Sequence, residues 1–183
     1  YPQAQAAGLS TPMWSNVTIA DGYEHKRFAA PSLANLYVPP AYIEDVPGEA
    51  SEEFVRKIRE MFPDVTYVNE HAAFGYIAVK AMAQSFNNTG TTETDAVIAA
   101  LEDGISIPDA PGGPWTLRGD QHHAAMPTYL FKVEEDHSLT LISDLGVNEP
   151  SFLSDIGVDM REGAPGRQFL PPDNPEWSAF FEE

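Results

Sequence analysis

The sequence predicts an α/β fold, and three observations carry that reading. A strand, a polar piece with helical character and a second strand follow one another between residues 11 and 38, a spacing that suits a parallel layer. Amphipathic or apolar helical patterns occupy most of residues 51 to 104. Beyond residue 114 the pattern changes to alternating strands with a tight turn between two of them.

The first element, Pro2 to Ala7, is a short helix stopped by Gly8. TPMWSNV (Thr11 to Val17) reads as a strand, Asp21 to Ala29 as a polar helical piece, and LANLYV (Leu33 to Val38) as a strand closed by Pro39 and Pro40. Ser51 is placed to cap a helix whose first turn holds Glu52 and Glu53, where the helix dipole favours acid. Phe54, Val55, Ile58, Met61 and Phe62 form its apolar stripe, and Pro63 ends it. Val65 to Val68 is an extended link. Glu70 to Phe86 (EHAAFGYIAVKAMAQSF) is apolar on most sides, which predicts a helix buried between layers, ended by Asn87-Asn88-Thr89-Gly90. Thr92 and Asp95 have capping-box spacing ahead of a helix carrying Val97, Ile98 and Leu101 to Gly104. Pro114 to Leu117, Thr128 to Glu134 and Ser138 to Ile142 follow as strands, with Glu135-Asp136-His137 turning the last hairpin. From Asp144 the chain is rich in Pro, Gly and acid. Trp177 and Phe180 would anchor a tail that wraps the body.

Composition narrows the function. The 183 residues are 43% apolar and 11% aromatic, enough for a packed core. The formal charge of -18, from 28 acids against 10 basic residues, argues against nucleic acid and anionic membrane surfaces, whose neutralisation needs Lys and Arg. An acidic solvated surface accounts for it. With no cysteine, thiol nucleophiles, disulfides and cysteinyl zinc sites are excluded. No apolar run approaches the ~18 residues of a membrane span. The opening YPQAQAAGL, without Met, reads as the middle of a helix and so as a processed or truncated chain.

The stretch DAPGGPWTLRGDQHHAAM (residues 109 to 126) gathers an Asp, an Arg and two adjacent His beside a Pro-Gly-Gly-Pro turn. Adjacent side chains on a strand point to opposite faces, so His122 and His123 do not readily share one metal. Neither Asp120 nor His137 completes a recognised zinc spacing, and there is no GxSxG, SxxK, GxGxxG or GxxxxGK[ST]. The expectation is no catalytic residue, no metal and no cofactor, with this stretch a turn and a polar loop held by local hydrogen bonds.

In order along the chain, QAQAAGLSTPMWSN, EEFVRKIREMFPD, HAAFGYIAVKAMAQSFNNTGTTETDAVIAALEDG and DAPGGPWTLRGDQHHAAMPTYLFKV resemble the C-terminal half of type I periplasmic solute-binding proteins of ABC importers. Within that family they look like the urea, short-chain amide and branched-chain amino-acid binders, and the run from Thr94 to Val133 is similar to the amide- and urea-binding branch in particular. The resemblance implies Rossmann-like α/β lobes joined by three crossing strands, with the N-terminal lobe largely missing and a ligand closed between lobes. Residues 1–45 would end the second lobe, 46–108 would return to the first, 109–145 would supply crossing strands and a hairpin, and 146–183 the tail. The implied function is capture of urea, a small amide or a branched-chain amino acid by hinge closure, in the periplasm or outside the cell, lipoprotein attachment included, with a membrane ABC permease as partner. The alternatives are a cytoplasmic amide sensor of the same fold and, further off, a metal-dependent hydrolase.

Ligands of such folds lie at the carboxyl ends of parallel strands. That places Ser15, Asn16 and Thr18 after the first strand, short polar groups suited to an amide or carboxylate, and Tyr42 after the second. At the start of the helix from Glu70, the resemblance puts Phe74 at an aromatic position near the hinge, where it would form an apolar wall. His71 stands beside it, and its other reading is a partly buried core histidine.

Overall fold

The computed structural model describes residues 2–9, 11–15 and 27–162. After α1 (Pro2–Ala6) come β1 (Met13–Trp14), β2 (Leu36–Val38), α2 (Glu49–Met61), α3 (Glu70–Thr89), α4 (Thr94–Glu102), β3 (Ile105–Ile107), β4 (Trp115–Arg118), β5 (His123–Val133), β6 (Leu139–Asn148) and α5 (Phe152–Asp155). A 3₁₀ turn at Met160–Glu162 follows. The strands form one sheet in the order β1-β2-β5-β4-β3, with β6 paired to β5. β1 and β2 are parallel, as the strand–helix–strand spacing predicts, and every other described pairing is antiparallel.

Strand β5 organises the molecule. Its N-terminal end pairs with β4 through Arg118↔His123 to Thr116↔Ala125, and its C-terminal end pairs with β2 through Val38↔Phe131 and Tyr37↔Lys132. β6 runs beside it from Met126↔Asn148 to Val133↔Leu139. The β5–β6 hairpin therefore joins two half-sheets, and each has its own core. The first core gathers Leu33, Leu36, Val38, Tyr42, Ile43, Phe54, Phe131 and Val133 among others, and the second Ile77, Ala81, Ile105, Ile107 and Ala110. Trp115 and Leu117 pack against the second core, which is the anchoring role their strand suggests.

Several local expectations change. The helix after Gly48 begins at Glu49 rather than at a Ser51 cap, and Ser51 is buried within it. A helix needs no side-chain cap where another segment uses that side chain, as Gly112 does here. The helix from Glu70 runs through Asn87 and Asn88 to Thr89. Gly90 then ends it in the left-handed region (φ 67), its N–H donating to the Phe86 carbonyl. That helix is not buried between layers. Only the i,i+4 stripe Ala73, Ile77, Ala81 and Ser85 is covered, while Val79 is 70% exposed, because β3 and α4 pack on one side alone. The capping-box expectation at Thr92 also fails: Glu93 is the N-cap, and its N–H is held by Thr91 Oγ1. β6 continues to Asn148, past the predicted strand end at Ile142, since its pairing with β5 outweighs the turn-forming residues Asp144 and Gly146. The piece from Asp21 to Lys26 and the aromatics from Phe169 onward lie outside the described residues.

The hairpin turn at Glu135-Asp136-His137 forms as expected, with the Glu134 N–H donating to Ser138 O and the His137 N–H to Glu134 O. His137 is buried, and its Nε2 accepts the Leu33 N–H at 2.9 Å. The bond ties the turn to the loop before β2. His137→Ala leaves a buried N–H without its acceptor and is expected to cost about 1–3 kcal/mol in chemical denaturation. A midpoint equal to that of the parent protein contradicts this.

Candidate functional site

The candidate residues are strung along one rim of the first half-sheet. Ser15 follows β1, its N–H donating to Tyr37 O at 3.0 Å, and its side chain is buried. Trp14 stacks on Tyr37 with ring centroids 5.2 Å apart. From the end of β2 the chain passes Pro39 and Pro40 to Tyr42. The next residue, Ile43, forms a bridge with Asn69, which brings the start of α3 alongside. Ser15 thus directly follows β1, Tyr42 lies beyond β2 next to the bridged Ile43, and His71 lies just past the bridged Asn69. Asn16 and Thr18 lie outside the described residues.

Their environments differ. Tyr42 is wholly buried and packs edge-on against Phe54 at 6.0 Å, so its ring belongs to the first core rather than to an open surface. Among the described residues none completes a hydrogen bond to its hydroxyl, although Ser51 lies near enough to influence its acidity. His71 is exposed on the first turn of α3, not a core histidine. Phe74 is half-buried and packs on the second core, so it marks the seam between the halves. Tyr42 and His71 thus stand on neighbouring segments through the Ile43–Asn69 bridge, while Phe74 packs on the second core.

The seam is built by residues that sequence reasoning passed over. Phe54 of α2 meets Tyr76 of α3 at 5.2 Å, and Lys80 Nζ lies 5.5 Å from the Tyr76 ring. Phe54 and Tyr76, with Ile58, Met61 and Pro111, line an open groove of about 580 Å³. Two of the carboxylates on its rim, Asp109 and Glu53, are paired with basic side chains. Lys80 bonds both Asp109 oxygens at 2.8 Å and holds that carboxyl below the usual range. Hydrogen bonds from Arg56 and Lys57 hold Glu53 down at about 2. The buried face of the seam is closed by the turn Ala110-Pro111-Gly112-Gly113, whose Gly112 N–H donates to Ser51 Oγ at 2.9 Å and whose Gly112 carbonyl accepts from Tyr129 Oη at 3.1 Å. No motif marks these contacts in the sequence, because they join positions 51, 112 and 129.

Two phenols give this region a pH signature. Tyr67 is buried and donates to Asp45 Oδ2 at 2.6 Å. Burial and then the Asp45 carboxylate push its phenol far above the ordinary value of 10.0. Burial likewise pushes the Tyr42 phenol up, partly opposed by Ser51. The unfolded chain ionises these phenols near pH 10 while the folded chain keeps its protons. Stability is thus complete below that pH and falls as pH rises above it, by about 1.4 kcal/mol per pH unit for each phenol. Thermal unfolding between pH 8 and 11.5 should show this decline, with Tyr42→Phe and Tyr67→Phe each flattening it. An unchanged slope in both variants counts against the assignment.

The polar loop at Asp120 to His123 is held partly by local bonds, as the sequence suggests, and partly by distant ones. Arg118 and Gln121 both bond Asp120, His123 Nδ1 lies 2.8 Å from Gln121 O, and Gln121 Oε1 accepts the Leu153 N–H. The His122 ring reaches Glu102. Among the described residues no three His, Asp or Glu side chains converge as a metal site, and no helix is long and apolar enough to cross a membrane.

Two small cores bridged by a long antiparallel hairpin, with one parallel strand pair beside it, make up an α/β chain of the type I periplasmic binding protein fold. Residues 1–138 match the family model described as periplasmic binding protein, and the chain belongs to that family. The solved structures it resembles include an amino acid ABC transporter substrate-binding protein from Pseudomonas fluorescens Pf-5, at 20% identity and TM-score 0.63, over 81% of this chain and 41% of that one. Another is a leucine-, isoleucine-, valine-, threonine- and alanine-binding protein from Brucella ovis in a closed conformation, at 18% identity and TM-score 0.64, over 80% of this chain and 40% of that one. A third is a solute-binding protein of an ABC transporter from Rhodopseudomonas palustris BisB5 in complex with 3,4-dihydroxybenzoic acid, at 20% identity and TM-score 0.67, over 82% of this chain and 42% of that one. At these identities the likeness concerns the fold. The chain spans about two-fifths of their length. A search of curated proteins found no significant match.

Proposed function

We propose that this chain contributes to the solute-binding subunit of an ABC importer, acting in the periplasm and delivering its ligand to a membrane permease. What supports the reading is the two-core layout, in which α3 passes from one core to the other and the β5–β6 hairpin joins them. Such a layout lets a solute touch both halves, so binding shifts the population toward a closed form. The ligand is a small polar organic solute: urea, a short amide or a branched-chain amino acid, with aromatic acids added by the benzoate-type ligand of one structural relative. Ser15, Asn16 and Thr18 would grip its polar end, Tyr42 and His71 would stand on the adjoining segments, and Phe74 would wall the hinge side. A non-catalytic role follows, since binding and release need no bond to be broken.

Equilibrium dialysis with labelled leucine, benzoate, acetamide and urea tests this directly. Saturable binding of one class, weakened at least about tenfold (~1.4 kcal/mol) by Asn16→Ala or Thr18→Ala, is the expected result. Absence of binding for all four compounds counts against the solute assignment.

A further inference from the structure

We infer that the Ser51 hydroxyl is a positioning group, a clasp that sets the angle between the two halves of the molecule. The inference rests on the reading of those halves as parts of lobes that close on a solute. Three observations meet at the same place. The halves have separate cores, and α3 passes from one to the other between Ala73 and Ile77. β5 is held by β4 only at residues 123–125 and by β2 only at 131–132. Its middle is left with β6 alone, and the β5–β6 register shifts twice there, between Pro127 and Tyr129 and between Leu130 and Phe131. A strand without a second neighbour and with broken register is where bending is easiest.

The clasp stands beside that weak point. Ala110 belongs to the second core, yet two residues later Gly112 meets the first. Its N–H is held by Ser51 of α2 and its carbonyl by Tyr129 of β5, both in buried bonds. A side chain at Gly112 would press on the Tyr42 ring at 3.2 Å. At Gly113, with φ of +110, a Cβ would stand 2.8 Å from Pro127 Cγ, so that position admits little but glycine. The turn is thus fitted against α2, Tyr42 and the bending segment at once. Only the Ser51 bond ties it to an element outside β5 through a side chain that can be removed without distorting the backbone. Breaking that bond frees the second half to turn about residues 126–130.

The absence of cysteine lets two spin labels be placed cleanly, through Thr66→Cys near the first core and Ala99→Cys on α4, both exposed positions. Pulsed electron–electron distance measurements then read the angle directly, without any ligand. In Ser51→Ala the distance distribution should widen and gain a second population, and the Gly112 amide should lose protection against hydrogen exchange. Ser51→Thr keeps the acceptor oxygen and should restore the parent width. Val97→Ala, which weakens a buried position of α4 away from the clasp, should lower stability but leave the distribution unchanged. A Ser51→Ala distribution that superimposes on the parent overturns the proposal, and so does equal widening in Val97→Ala. Because no solute enters the measurement, failure here leaves the binding assignment standing, and failure of dialysis leaves the clasp standing.

Discussion

Gly119→Ala is expected to undo the packing of the second half of the molecule, at a cost on the order of 3 kcal/mol or more, above the usual range for overpacking. Gly119 lies in the turn between β4 and β5, and the C-terminal end of α4 is pressed against it. A Cβ at that position would stand 1.7 Å from the Glu102 carbonyl oxygen and 2.4 Å from its carbon. Both are backbone atoms, so no side-chain rotation relieves the clash. Either α4 lifts off the sheet or the β4–β5 turn moves, and each route opens the core formed by Ile105, Ile107, Leu101 and Leu117. Hydrogen exchange monitored by mass spectrometry distinguishes a local from a global effect. Protection should fall across residues 94–125, with far smaller changes in α2. Wild-type stability in this variant would mean that the close approach does not exist in solution.

Much of the architecture was legible because its signals are local. The parallel pair of β1 and β2 follows from strand spacing, and the stops at Pro63 and Gly8 follow from residues whose backbones permit little else. The hairpin turn at 135–137 followed from the change to period-two alternation on either side of it. The misreadings share a cause. EHAAFGYIAVKAMAQSF contains apolar residues on every face, and a sequence pattern cannot say which face has a neighbour. Here only one stripe is covered: Ala73 joins the first core, while Ile77 and Ala81 pack in the second with Ile105 and Ile107 of β3. Ser51 looked like a cap because caps and buried hydroxyls use the same side chains, and the deciding partner, Gly112, lies 61 residues away.

The site was legible only in outline. Ser15 and Tyr42 were chosen by the rule that ligands gather at the carboxyl ends of parallel strands; Ser15 directly follows β1, and Tyr42 is packed in the first core. The rule could not foresee that Tyr42 would be enclosed by the first core, since burial depends on Phe54 arriving from α2. The stretch from Asp109 to Met126 was read as a turn and a polar loop ahead of a strand at Thr128; the turn forms, but β5 already begins at His123, so the loop is shorter than expected. Its larger role, joining two cores through Gly112, depends on contacts at long separation that no local pattern records.

Phe131→Ala is the complementary test, because it strikes the other core. Phe131 is 1% exposed and lies on β5 opposite Val38 of β2 and Leu141 of β6. Its side chain is among the largest enclosed ones in the described chain, and neither neighbouring strand can move inward to fill the space without breaking its own ladder. Truncation should therefore cost about 3–5 kcal/mol, a large share of the ~5–15 kcal/mol that holds a typical domain together. The distribution of that loss matters more than its size. If the two cores are joined mainly by β5, β6, α3 and the Gly112 turn, Phe131→Ala should expose amides of β2 and α2 while β3 and α4 keep much of their protection, the mirror image of Gly119→Ala. Loss spread evenly over both halves in each variant would show a single cooperative unit instead. Separate loosening of the two halves would agree with the joint inferred at residues 126–130, where β5 is paired with β6 alone among the described strands.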